Sequence, residues 1–184
     1  ARIRFRFFDL LRPLPQLLDE LQALAPDVLV APASVLGAIA RASAAGRPAL
    51  HPAHVVSVAE TLEPDDRQAI ETAWGRAPDQ VYQATEGLLG TGCAAGRIHL
   101  NEEFLHIEPQ WLDARRFVPV VTDFSRTSQA VVRYRLDDVL VGAEGDCPCG
   151  RPTRSVAAIE GRCDEVLWLP ARAGGAPLPV YPDL

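Results

Sequence analysis

Two clusters of residues have the types and spacing for chemistry. Thr85 and Glu86, inside Tyr82-Gln83-Ala84-Thr85-Glu86-Gly87, set a small hydroxyl beside a carboxylate. That pairing can hold a nucleotide phosphate and its magnesium ion, with Glu86 as the metal ligand. The same residues also suit an ordinary strand-end turn, in which Gly87 takes a positive φ and Glu86 faces water. Cys93, His99, Cys147 and Cys149 supply three thiols and an imidazole, the ligand set of a tetrahedral Cys₃His zinc site. The Cys147-Pro148-Cys149 gap is tighter than the usual two to four intervening residues, so two free buried thiols are the competing reading. His106 is the substitute ligand and Cys163 a spare. A zinc ion here would be structural, pinning the second half of the chain to the turn after Glu86. Ser34 and Ser57 lack the Gly-x-Ser-x-Gly setting of a hydrolase nucleophile. His51 and His54 flank a Pro-Ala turn at a strand start, and Trp74, Trp111 and Trp168 read as packing residues.

These clusters need a framework, and the composition can build one. The chain has 184 residues, 48% of them hydrophobic, and a formal net charge of −6. An acidic surface repels phosphate backbones and anionic headgroups, which argues against nucleic-acid and membrane partners. No apolar run approaches the roughly 20 residues that span a bilayer, and the first residues do not open a signal peptide, so a cytoplasmic protein is expected. In that compartment cysteines are reduced thiols or metal ligands more often than disulfides. There is no methionine, and all 18 basic residues are arginine. The missing initiator and the unfinished tail predict an internal segment of a longer protein.

Taken in order, the first half alternates strand and helix. Ile3, Phe5 and Phe7 alternate with Arg2, Arg4 and Arg6 as in an edge strand whose arginines discourage foreign pairing. Leucines at 17, 18, 21 and 24 predict a helix from Leu14 to Leu24, stopped by Pro26. Val28-Leu29-Val30 reads as a short buried strand, and Ser34 as the cap of a helix that buries Val35, Leu36 and Ile39 and closes near Gly46. His54 to Val58 is the next strand. Pro64-Asp65-Asp66 makes a favourable first turn for a helix that carries Ile70, Ala73 and Trp74 and ends at Gly75. Gln80-Val81-Tyr82 then delivers the Thr85-Glu86 turn. Such steps favour a parallel sheet with ligands beyond the carboxyl ends of its strands, where Ala59-Glu60-Thr61 and Thr85-Glu86-Gly87 fall.

After Gly96 the texture becomes β-rich, with runs at 97–100, 104–108, 117–122 and 130–141. Cys147 to Gly150 forms a tight turn, 159–164 reads as a hinge, and the tail with Pro170, Gly174, Gly175, Pro177, Pro179 and Pro182 reads as a loop or linker. The expected class is therefore α/β: a parallel-type α/β subdomain over 1–96, a small antiparallel β subdomain over 97–160, and a hinge segment over 161–184.

The order Ala59-Glu60-Thr61-Leu62, Tyr82-x-x-Thr85-Glu86-Gly87, Tyr134-Arg135-Leu136-Asp137-Asp138, Cys147-Pro148-Cys149-Gly150-Arg151 and Gly161-Arg162-x-Asp164 resembles the adenylate-forming superfamily. The Cys-x-Cys-Gly-Arg element is similar to the branch of phenylacetate–coenzyme A ligases and synthetases that adenylylate a deazaflavin coenzyme. The resemblance implies a ligase that uses MgATP to turn a small carboxylic acid into an acyl-adenylate, then passes the acyl group to coenzyme A or a carrier thiol. It implies that Ala59, Glu60 and Thr61 lie along adenine with Tyr82 stacking nearby, that Thr85 contacts the α-phosphate, and that Asp138 takes the ribose hydroxyls. Arg162 would approach ribose or phosphate, and Asp164 would be the pivot for a carboxyl-terminal domain. A homodimer is compatible with this reading. The family's Ser/Thr/Gly-rich phosphate loop and its lysine are absent from these residues, so the segment alone is expected to be inactive. Ala59 and Ala84 stand where many relatives carry glycine. The rival reading is a non-catalytic, zinc-stabilised nucleotide-binding or interaction module on the same architecture.

Overall fold

The computed structural model describes residues 3–46, 49–164, 166–170 and 176–180. Leucine spacing does form the first helix, α1 (Leu14–Leu24), which buries Leu17 and Leu21 and ends on Ala25 with φ 47°. Next along the chain come strand β1 (Val28–Pro32), helix α2 (Ala33–Ala44), strand β2 (His54–Val58), helix α3 (Pro64–Trp74) and strand β3 (Asp79–Ala84). The pairs β1–β2 and β2–β3 are parallel, as the alternation requires. Pro64 opens α3, Asp65 and Asp66 sit in its first turn where the helix dipole favours them, and Gly75 closes it in the left-handed conformation. Leu29, Leu36, Ile39, Val55 and Ile70 join Leu17 and Leu21 in one core.

From β3 onward the sheet continues antiparallel through β4 (Gly87–Gly92), β5 (Ile98–Leu100), β6 (Leu105–Trp111), β7 (Arg116–Asp123), β8 (Val131–Arg135), β9 (Asp138–Gly142) and β10 (Ser155–Arg162). The strand order is β1-β2-β3-β4-β5-β10-β9-β7-β6, with β8 on β7. A second core of Tyr82, Leu89, Ile98, Leu100, Phe117, Val121, Leu140 and Val156 lies under this part. The architecture is thus mixed α/β: one ten-stranded sheet, three helices among the described residues, and a separate two-stranded sheet of β11 (Leu167–Leu169) and β12 (Leu178–Val180).

Several sequence expectations are corrected. Residues 3–7 form no strand, because alternation alone supplies no ladder partner; Ile3, Phe5 and Phe7 stay exposed and only Phe8 packs on the first core. Strand β1 is buried on one face only, with Val28 and Val30 outward. Ser34 is not the cap of α2: the helix starts at Ala33, and the Ser34 amide is instead taken by the Glu60 carboxylate at 2.9 Å. Strand β4 is hidden in the sequence by Gly90 and Gly92, whose backbone is pressed too close for a side chain. A Cβ at Gly90 would meet the His99 carbonyl oxygen at 2.8 Å, and one at Gly92 the Gln80 nitrogen at 2.9 Å. The run 130–141 breaks into β8 and β9 at Leu136-Asp137, and Ile159 to Arg162, read as hinge, is the end of β10. The tail carries β11 and β12 where a loop was expected, while Arg2, Gly174, Gly175 and Pro182 lie outside the described residues. No helix among the described residues is long and apolar enough to cross a membrane.

Candidate functional site

Beyond the carboxyl ends of β2 and β3 lies a hollow of about 300 Å³. Ala59, Thr85, Glu86, Asp138 and Arg162 line it, together with Gln83, Ala84, Tyr134, Leu136 and Asp137. Its size is at the lower end of small-molecule sites. Ala59 holds φ 64°, a left-handed conformation that explains why glycine suits this position. The β3–β4 turn presents Thr85 and Glu86, and the start of β9 presents Asp138.

Asp138 is 4% exposed and accepts a 2.5 Å hydrogen bond from the Tyr82 hydroxyl. Burial pushes its carboxyl above the ordinary aspartate range; the Tyr82 bond and the Arg162 charge pull it partly back, while Glu86 and Asp137 push it up. Burial, then the Asp138 charge, drives the Tyr82 phenol far above its usual value. Arg162 is forked onto Asp164, Nε to Oδ1 at 3.0 Å and Nη2 to Oδ2 at 2.7 Å, with Asp137 at 3.5 Å. The Asp164 bond heads the causes that raise the guanidinium further, so Arg162 is a fixed cation at the rim.

Not every expected residue reaches this hollow. Tyr82 is 2% exposed, so its ring is core and cannot stack on a ligand; it acts on the site through its hydroxyl. Glu60 and Thr61 line a second, smaller cavity of about 90 Å³ with Arg67, Gln80 and Ile98. Glu60 spends one oxygen on the α2 terminus, and the Thr61 hydroxyl is buried with no partner among the described residues.

Sequence reading missed three residues behind the Thr85-Glu86 turn. Arg126 Nη2 donates to the Thr85 carbonyl at 2.9 Å, and its Nε lies 3.4 Å from Asp123 Oδ2. The other Asp123 oxygen accepts the Ser125 amide and hydroxyl, both at 2.7 Å, and these two bonds head the causes that hold the carboxyl below its usual range. Asp123-x-Ser125 is the only local signal, and it reads as a turn.

The four cysteine-cluster residues converge. Ligand atoms of Cys93, His99, Cys147 and Cys149 all lie within 4.8 Å of one another. Cys93 Sγ is 3.6 Å from Cys147 Sγ, and Cys149 Sγ is 3.2 Å from His99 Nε2. Zn–S and Zn–N bonds of about 2.3 and 2.0 Å give tetrahedron edges of roughly 3.5–3.8 Å, so the set is compatible with zinc after small side-chain adjustments. His99 Nδ1 faces the Thr153 carbonyl at 3.1 Å, which leaves Nε2, already turned toward Cys149 Sγ, as the nitrogen that would ligate an ion. Burial raises the Cys93 thiol, but the Arg97 and Ala95 amides aimed at its sulfur, together with the Cys147 and Cys149 thiols, outweigh burial and lower it. His106 is exposed on β6 and Cys163 sits by Arg135, so neither joins the cluster.

No protein-family model matches the chain, and no curated protein does. Among solved structures it is similar to 2-hydroxyisobutyryl-CoA ligase in the postadenylation state in complex with R3-HIB-AMP, with a TM-score of 0.69 and 19% identity over 84% of this chain. The same ligase in complex with 2-HIB-AMP and CoA in the thioesterification state gives a TM-score of 0.68, again at 19% identity, over 83% of this chain. In both, the chain spans 36% of the length of the solved structure. At this identity the likeness is one of fold.

Proposed function

We propose that this chain is the nucleotide-holding part of an adenylate-forming ligase. The observation that carries the reading is the buried Asp138, braced by Tyr82, in one hollow with Thr85, Glu86 and Arg162 at the ends of parallel strands. The shared fold with a CoA ligase adds to it. In the reaction, a carboxylate oxygen attacks the α-phosphorus of ATP, the acyl–O–P bond forms, and the bond to pyrophosphate breaks. A thiol such as coenzyme A then attacks the acyl carbon and AMP leaves with the oxygen. Asp138 would accept both ribose hydroxyls and fix the nucleotide for in-line attack. Thr85 would donate to the α-phosphate, where charge grows in the transition state, and Arg162 would add a cation at the rim. Glu86 would hold magnesium, whose charge screens the phosphates when bound. The backbone of 59–61 would flank adenine, with the Glu60 side chain committed to α2. Asp164, clasped to Arg162, would be the pivot whose release frees the guanidinium.

The Cys-x-Cys-Gly-Arg turn favours the phenylacetate–coenzyme A ligase-like branch, and the cluster it completes suits a structural zinc ion. Subdomains at 1–96, 97–160 and 161–184, a cytoplasmic location and a homodimer go with this reading. Pyrophosphate exchange dependent on a carboxylic acid is the test, run on the full-length protein against a broad acid panel. Glu86→Gln is expected to cut exchange at least a hundredfold with little change in melting temperature, and turnover equal to wild type would remove Glu86 from the mechanism. MgATP binding with no exchange for any acid would select the non-catalytic module instead, a reading the cysteine cluster favours equally.

A further inference from the structure

We infer that Arg126 is a positioning residue for the phosphate end of the nucleotide; this rests on the ligase reading above. Thr85 and Glu86 sit on a two-residue turn between β3 and β4, and Thr85 is exposed. The flanking Ala84–Gly87 pair closes this two-residue turn, and a hydrogen bond from outside adds to that closure in fixing its peptide planes. The Arg126 guanidinium supplies that bond at the Thr85 carbonyl, 2.9 Å away. That carbonyl belongs to the peptide that joins Thr85 to Glu86, so its orientation sets the direction of both side chains. Arg126 is itself anchored: its Nε lies 3.4 Å from Asp123, and the Asp123 side chain, 5% exposed, is tied by the Ser125 amide and hydroxyl.

Gly87 completes the contact. Its φ is 150°, and a Cβ there would stand 3.8 Å from Asp123 Oδ2 and 4.0 Å from Arg126 Nη2, so the turn lies directly on the Asp123–Arg126 pair. The pair sits outside the hollow, and Arg126 is not among the residues that line it. Its influence therefore runs through the Thr85–Glu86 peptide. A nucleotide's phosphates and their magnesium ion depend on those two side chains, whereas its nucleoside end depends on Asp138, which Tyr82 holds independently.

The test separates the two ends of the nucleotide by calorimetric titration of the full-length protein with MgATP and, separately, with adenosine. For Arg126→Ala, MgATP affinity is expected to fall about tenfold while adenosine affinity stays within twofold, and Arg126→Lys should recover part of the loss. Asp123→Asn is expected to give the same split with a smaller amplitude. The double variant should be no worse than Arg126→Ala, because both changes loosen one linkage. Wild-type protein that binds MgATP, with Arg126→Ala unchanged or weakened equally for both ligands, overturns the positioning role and leaves the ligase reading standing. Wild-type protein that binds neither ligand removes the ligase reading and this inference with it. Should Arg126→Ala fail to fold, the split or its absence in Asp123→Asn and Arg126→Lys decides the matter.

Discussion

At the scale of single residues, the site turns on a carboxylate kept in a place that disfavours its charge. Asp138 is buried, and the Tyr82 hydroxyl at 2.5 Å is the bond that makes its ionised form tolerable. A carboxyl whose folded-state pKa is raised binds its proton more tightly folded than unfolded. Its stability contribution is complete below the ordinary aspartate range and is lost as pH rises through the elevated value. Removing the Tyr82 hydroxyl raises that value further, so Tyr82→Phe is expected to cost about 2 kcal/mol near pH 7, the scale of a hydrogen bond to a charged group, and less near pH 4. Urea midpoints between pH 4 and 8 measure this. A deficit of constant size across that range would mean that Tyr82 packs and does not brace the charge. The same variant should weaken AMP binding, since the Asp138 carboxylate loses the hydroxyl that braces it toward the hollow.

Elements bring these residues together, and the β2 exit shows the tension involved. Ala59 occupies φ 64°, where a Cβ costs roughly 1 kcal/mol or more. Ala59→Gly is therefore expected to raise stability by about 0.5–1 kcal/mol, a rise of roughly 1–4 °C in melting temperature for a chain of this size. A lower melting temperature would show that the methyl group packs favourably enough to outweigh the strain. Elements with local punctuation were legible in the sequence: α1 from its leucines, α3 from Pro64 and Gly75, and the ends of β2 and β3 from the turn residues at 59–61 and 85–87. Strand β4 was not, because Gly90 and Gly92 are there for close backbone approach to β5 and β3, which no local pattern announces. The misread segment 3–7 shows the converse, a good strand pattern with nothing to pair with. For the site, motif positions at strand ends were readable. The contacts that give them their roles were not: Glu60 on Ser34, Tyr82 on Asp138 and Arg126 on Thr85 join residues 26, 56 and 41 positions apart.

For the whole molecule, the telling place is where β5 meets β10. Only two register pairs, Ser155–His99 and Val156–Ile98, link them, against seven between β6 and β7. Yet this ladder joins the half that bears Thr85 and Glu86 to the half that bears Asp138 and Arg162. Side chains reinforce it: Arg97 donates to the Glu144 and Gly145 carbonyls at 2.9 Å, and Arg151 reaches Thr91. The cysteine cluster lies on the same seam, with Cys93 just past β4, His99 within β5, and Cys147 and Cys149 in the connection from β9 to β10. A zinc ion bound there would close a loop across the weakest part of the path between the two halves, and its binding energy would count as folding energy. The purified protein is therefore expected to hold one zinc ion per chain by elemental analysis. A strong chelator should lower the melting temperature by at least about 6–12 °C, since loss of about 3 kcal/mol or more at roughly 2–4 °C per kcal/mol gives that shift. Amides of β5 and β10 should lose their hydrogen-exchange protection before those of β6 and β7. Metal-free protein with the same melting temperature and the same protection order would show that Arg97, Arg151 and the two register pairs hold the seam unaided.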